Sequence, residues 1–427
     1  MKDLKSKTKN TKIIMDNCRL CKNKELTVLH DFGFQPVAGY LESSKIEAIN
    51  APKYRNIITI CNKCGHVQQG TSTAKETLIN KVYSNYQSTY AMSGKVSDYM
   101  QNFLNIAIKS SKIQKGDILL EIGSNDGSIL RAIEQMGYIS AGFDPSAQFE
   151  SGNDTKCLIY KDYFTTENAV RFTEKHQKVK LLITRHTFEH VFDPIDFLMA
   201  INNTITDDGT AVIEIPYFGQ QIVNNQFQSL TFQHISFFTI SSFLNALKGT
   251  QLVLNDLVFS KMDAGSMVLF LKKDSNKNTS SKKLLSIIEL ENMYQLGSPE
   301  GYSYFFSKLE KEKILIMNYF KRLKEKNILV MGFGAGTKGQ AMLNMLGLSY
   351  EILPYIIDYT PAFNNQFVPG TGNMVIPPGN EHVKNVDAIF ITAPTHISEI
   401  MKNNANLSTK DTFFFSTVPA FHVEDSI

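Results

Sequence analysis

The chain has 427 residues, 43% hydrophobic and 20% charged, with 44 basic against 41 acidic side chains for a net charge of +3. That length exceeds one ordinary core and points to about two to four domains. The near-balance of charge gives no reason to expect a nucleic-acid or strongly acidic partner, and no uncharged apolar run approaches the roughly 18 residues of a membrane span.

Met1 to Lys12 is rich in Lys, Ser, Thr and Asn and lacks the apolar run of a secretory signal. Residues 1–15 therefore read as a disordered tail, and the expected compartment is the cytoplasm. In that reducing setting, paired cysteines more often mean metal than disulfide. Four of the five cysteines form two Cys-x-x-Cys pairs, Cys18/Cys21 and Cys61/Cys64. Each pair points two thiolates at one spot, as tetrahedral Zn²⁺ wants, and Gly65 suits the tight turn after Cys64. The competing readings are unrelated thiols or a redox pair; His66 is a reserve ligand. Short apolar runs (Leu26 to Leu29, Ile57 to Ile60) make residues 16–80 a small strand-rich zinc module, its metal structural.

A domain over 81–280 follows. Its entry helix, about Tyr90 to Lys109, places Val96, Met100, Phe103, Leu104, Ala107 and Ile108 at three- and four-residue spacing, as one buried face would. Ile118 to Ile122, Ser140 to Phe143, Leu181 to Thr184 and Ala211 to Ile215 read as strands and Ser128 to Met136 as a helix. That alternation predicts a doubly wound, Rossmann-like α/β sheet. A charged helical connector covers 281–326. A second α/β pattern over 327–427 has strands at Asn327 to Met331, Tyr355 to Asp358 and Asp387 to Thr392, a glycine turn over Gly332 to Gly339, and a helix from Gln340 to Leu346.

The first glycine turn carries the sharpest chemistry. In Glu121-Ile122-Gly123-Ser124-Asn125-Asp126-Gly127 a buried strand meets an acid and a small-residue turn, which lets backbone approach a ligand at the sheet's carboxyl edge. Its glycines do not fit G-x-G-x-x-G, so a nucleoside–amino-acid cofactor suits it better than a pyrophosphate. Asp144, with Pro145 after it, ends the next strand where an acid can bind ribose hydroxyls. Asp162-Tyr163-Phe164 is the expected adenine-side contact. Arg185 and His186 sit at the cofactor or substrate edge, whereas His190 reads as structural. The second turn does fit G-x-G-x-x-G through Gly334, Gly336 and Gly339, with Asp358 as ribose acid. Alone it would suggest NAD, and Lys338 could meet a diphosphate.

Taken together, the two cysteine pairs, Glu121 to Gly127, Tyr83-Ser84-Asn85-Tyr86, Arg185-His186 with Glu189-His190, Glu214-Ile215-Pro216-Tyr217, His234 with Ser236 and Phe238, and Gly332 to Gly339 resemble the bacterial sugar C-methyltransferase family over residues 16–420. The resemblance implies an N-terminal zinc segment, a central S-adenosylmethionine domain and a C-terminal Rossmann-like domain. It further implies a nucleotide-linked 4-keto deoxysugar as substrate, held by a monomer or homodimer. Where the family reads Tyr-His-Glu-His then Leu-Ser-Tyr, this chain reads Thr231-Phe232-Gln233-His234 then Ile235-Ser236-Phe237. His234 is retained as the expected base, because imidazole titrates near neutral pH. Tyr86 or Tyr83 is an expected donor to the enolate, and Gln233 takes the place of the family's carboxylate. The altered stretch leaves the methylated position open, with O- or N-methylation of a related sugar or small molecule as the rival reading.

Overall fold

The computed structural model describes residues 15–72, 74–83, 97–146, 157–262, 265–273, 281–394, 397–403, 412–418 and 422–424. The expected tail before Met15, Tyr86, and the expected entry-helix residues 90–96 lie outside these. Among the described residues no helix is long and apolar enough to cross a membrane.

Strands β1 (Leu26–Pro36), β2 (Lys53–Cys61) and β3 (Val67–Gln69) pair antiparallel. The strand expected over Leu26 to Leu29 runs on to Pro36, because two register shifts let β1 follow the twist of β2. The central sheet is built from β4 (Ile118–Ile122), β5 (Ile139–Phe143), β6 (Leu158–Tyr160), β7 (Val179–Arg185) and β8 (Ile205–Pro216), all parallel. The chain then leaves this sheet for a two-residue strand, β9 (Ser236–Phe237), which pairs with β3 as the fourth strand of the N-terminal sheet. Strands β10 (Leu252–Ser260) and β11 (Ser266–Lys273) return and close the central sheet antiparallel on β8, in the order β10-β11-β8-β7-β4-β5-β6.

The apolar β4 segment ILLEI is buried on both faces, as a central parallel strand must be. One face packs on the helix Asp98–Ser110, which Ser97 caps through Met100 N and which buries Met100, Phe103, Leu104 and Ala107. The other face shares a core with Cys18 and Cys61, so the cysteine lobe is continuous with the central domain.

The connector is two helices, Lys282–Met293 and Glu300–Glu325. The third sheet holds β12 (Val330–Phe333), β13 (Tyr355–Ile357), β14 (Met374–Ile376), β15 (Ala388–Ile391), β16 (Phe413–Ser416) and β17 (His422–Glu424), in the order β14-β13-β12-β15-β16-β17. Its first strand begins later than expected. Asn327, at φ 56, is used to end the connector helix, its N–H donating to Lys324 O. Gly332 belongs to β12 rather than to the turn, and a Cβ there would lie 2.4 Å from Ile356 Cδ1. Its role is close packing of adjacent strands.

Candidate active site

At the carboxyl edge of β4 the backbone passes through Gly123 (φ 83), Asn125 (φ 41) and Gly127 (φ 69), three left-handed residues within five positions. This curls the chain away from the sheet and opens a cradle before the helix Ser128–Gln135. Gly123 N donates to Phe143 O at 2.8 Å and Asn125 N to Asp144 Oδ2 at 3.0 Å, which ties the turn to the end of β5. The second Asp144 oxygen accepts from Ser146 N and Oγ, and Asp126 accepts from Ser128 N and Oγ at the start of the helix. A Cβ on Gly123 would lie 2.1 Å from Thr187 Oγ1, so the turn has no room for a larger residue. The structure therefore brings Glu121, Gly123, Ser124, Asn125, Asp126, Asp144 and Pro145 to one edge.

The stretch beyond β6 divides. Asp162 and Tyr163 are exposed, while Phe164 is buried edge-on against Phe143 and Phe197. Phe164 is a core ring rather than the expected adenine-side contact.

Side chains alternate along strands, so Glu121 on β4, Arg185 on β7 and Glu214 on β8 share the face that also carries Leu119, Ile183 and Val212. Arg185 Nε donates to Glu214 Oε2 at 2.7 Å, and its guanidinium lies over the Phe103 ring at 5.0 Å. Tyr99 and Ser260 hydroxyls donate to the other Glu214 oxygen. Burial raises the Glu121 carboxyl to about 8; Arg185 opposes this, and Asp144 and Asp126 add to it.

A second cluster adjoins this edge. After β7 the chain turns through His186 (φ 46) into a short helix, Phe188–His190. There Glu189 is buried, with Oε1 3.4 Å from His186 Nδ1 and 4.0 Å from His190 Nε2. The His190 and His234 rings lie 5.1 Å apart, and one donor atom each of Glu189, His190 and His234 falls within 4.8 Å of the others. Burial opposes charge on Glu189, but the His186 hydrogen bond and the nearby His190 and His234 outweigh it and hold the carboxyl below its usual range. The His190 Nδ1 contact with Gln233 O at 2.7 Å makes that nitrogen the donor, leaving Nε2 to face Glu189. Ile235 N also donates to Glu189 O, so two distant segments are laced together beside the half-exposed His234.

Sequence reasoning read His190 as structural and gave Glu189 no role; the structure sets both beside the expected base. Their place directly after a strand's carboxyl end was the available signal. Gln233 is buried and donates through Nε2 to Ala38 O, where Gly39, Val82 and Thr337 also converge. Phe232 packs in a cluster with Val37, Leu78 and Val82, and Phe237 against Phe218. These positions serve packing between lobes. Tyr83 meets the His190 ring edge-on at 6.2 Å.

The four thiols converge as well. Cys18 Sγ lies 3.6 Å from Cys64 Sγ and Cys21 Sγ 3.5 Å from Cys61 Sγ, and all four lie within 4.8 Å of one another. A tetrahedron with Zn–S bonds of about 2.3 Å has edges of roughly 3.8 Å, so the donor set fits zinc. His66 is a buried core histidine instead, 3.2 Å from Ser236 Oγ, driven down to about 3 by burial and by Arg19. In the C-terminal turn, Gly334 (φ 106) and Gly339 meet so closely that a Cβ on Gly339 would lie 2.1 Å from Gly334 O. Asp358 spends its two oxygens on Ala335 N and Thr360 N of its own loops.

Residues 18–78 match the family described as “Putative zinc binding domain”, residues 92–256 “Methyltransferase domain”, and residues 261–419 “C-methyltransferase C-terminal domain”. Over 406 residues the chain is 22% identical to the C-methyltransferase NovU of Streptomyces niveus, covering 95% of this chain and 96% of that protein. Among solved structures, a SAM-dependent methyltransferase from Anabaena variabilis is 10% identical over 47% of this chain and 91% of its own, with a TM-score of 0.35. Another, from Geobacter sulfurreducens in complex with S-adenosyl-L-homocysteine, is 10% identical over 42% and 92%, with a TM-score of 0.30.

Proposed function

We propose that this S-adenosylmethionine-dependent methyltransferase, whose segments match in order the zinc-binding, methyltransferase and C-methyltransferase C-terminal families, methylates the carbon beside the keto group of a nucleotide-linked deoxysugar. Bound S-adenosylmethionine supplies an electrophilic methyl group whose transfer discharges a sulfonium, so positioning dominates that step. A carbon nucleophile must first lose its α-proton to a base, and the enolate oxygen needs a donor.

The observation that carries the reading is the Glu189–His190–His234 cluster at the sheet edge beside the cofactor cradle. His234 takes the α-proton. Glu189, ionised and buried, stabilises the positive charge that then develops on the imidazoles, and His190 is held in one tautomer by Gln233 O. Tyr83, whose ring meets that of His190 edge-on, is the described tyrosine we assign as donor to the enolate. A hydroxyl nucleophile would need less of this machinery. Gln233 acts by position, joining the His234 segment to Ala38 at the meeting point of the lobes.

Incubating nucleotide keto-deoxysugars with the protein and S-adenosylhomocysteine in deuterated water tests this. The α-proton of the true substrate should exchange without methyl transfer, and labelled donor should then place the methyl on that carbon. A methyl found on oxygen or nitrogen, with no exchange, would establish the rival reaction.

The cradle makes a second expectation. Gly123→Ala forces a left-handed alanine, costing about 1–2 kcal/mol, and drives its Cβ into Thr187. S-adenosylhomocysteine should bind about tenfold more weakly by calorimetry, with a far-ultraviolet spectrum like that of the parent. Unchanged affinity would move the cofactor away from this turn.

A further inference from the structure

The row of Glu121, Arg185 and Glu214 is electrically unfinished. It holds two acids against one guanidinium, all buried on one sheet face. Glu214 is satisfied, since Arg185 and the Tyr99 and Ser260 hydroxyls all donate to it. Arg185 is committed to Glu214 through Nε, yet among the described residues its Nη2 has no hydrogen-bond partner. Glu121 Oε2, one strand away, has none either. A buried carboxylate with an oxygen that accepts no hydrogen bond is costly to leave charged, and it takes up a proton instead. The two idle atoms, an acceptor and a donor at the rim of the cofactor cradle, match the two charged ends of an α-amino acid.

Resting on the reading of that cradle as a methyl-donor site, we propose that Glu121 is protonated in the unliganded protein and gives its proton to solvent when the donor's amino-acid end docks between it and Arg185. The proton leaves the Glu121 carboxyl, the donor's ammonium keeps its own protons and donates to Oε2, and the donor's carboxylate accepts from Arg185 Nη2. No covalent bond changes beyond the O–H of Glu121. The charged groups facing Glu121 fit this balance. Asp144, just after β5, and Asp126 from the cradle disfavour a second negative charge, and only Arg185 from β7 favours one. Tyr99, from the helix above, and His186, 3.9 Å from Glu214, face Glu214 instead.

The sign follows. A group that must lose a proton on binding makes affinity rise with pH while the group is still protonated. With the free carboxyl near 8, affinity should tighten by up to about tenfold per pH unit between roughly pH 6 and 7 and level off above roughly pH 8. Calorimetry of the wild-type chain with S-adenosylhomocysteine, near pH 7 in two buffers of different ionisation enthalpy, should show release of about one proton per ligand. Glu121→Gln should bind with that release abolished, which separates Glu121 from His186 and from the ligand's own amine. Tight binding by the wild-type chain without proton release, or release that survives Glu121→Gln, overturns the proposal. Failure of S-adenosylhomocysteine to bind at all would instead remove the methyl-donor site on which it rests.

Discussion

His234→Ala should lower kcat by about 10²- to 10⁴-fold, the contribution of a positioned general base, while S-adenosylhomocysteine binds as before. The two effects separate because the residues that carry them sit on different segments. The cradle is built from Gly123 to Asp144, whereas His234 lies on the strip between Gln233 and Ser236 that is laced to Glu189 and His190. Glu189→Gln should leave substrate affinity near the parent's and lower kcat, because the imidazoles lose the buried carboxylate that stabilises their charged form. Measuring kcat and KM separately distinguishes this from a structural defect, and the α-proton exchange rate should fall in step with kcat for both variants. Unchanged turnover in His234→Ala would take the residue out of the mechanism.

Local signals in the sequence were sufficient for the cradle. An apolar strand, a small-residue turn and an acid ending the following strand are set by short-range geometry, and β4, its helix and β5 lie where the pattern puts them. Contacts made by the fold between distant segments were not legible. His190 bonds to a carbonyl 43 residues away and Arg185 to a carboxylate 29 residues away, and neither separation follows any helix or strand period. Phe164 misled for a related reason. Its position after a strand is right for a ligand contact, but the apolar faces of Phe143 and Phe197 capture the ring. Nor does a two-residue strand announce itself, yet β9 joins the N-terminal sheet to the segment that carries His234.

That junction couples the cysteine lobe to the segment that carries His234. Cys61→Ser should remove one of four ligands and cost more than about 4 kcal/mol, a loss confined to mechanisms such as removal of a metal. Cys61 ends β2, which pairs with β3, and β3 pairs with β9 immediately after Ile235. Cys64 is tied to the central domain by Asn245 Nδ2 donating to its carbonyl at 3.1 Å. Without metal the thiols lose the bonds that hold the two turns together, and the edge on which β9 rests loosens with them. Zinc content should fall from about one ion per chain toward none, and the melting temperature should drop. Well below the new melting point, kcat should decline more than affinity for S-adenosylhomocysteine, because the cradle is anchored on β4 and β5 and His234 is anchored on β9. A variant with full zinc and parental melting would show that Cys61 is not a ligand. One that lost zinc yet kept parental kcat would show that His234 is positioned by its contacts with Glu189 and His190 alone.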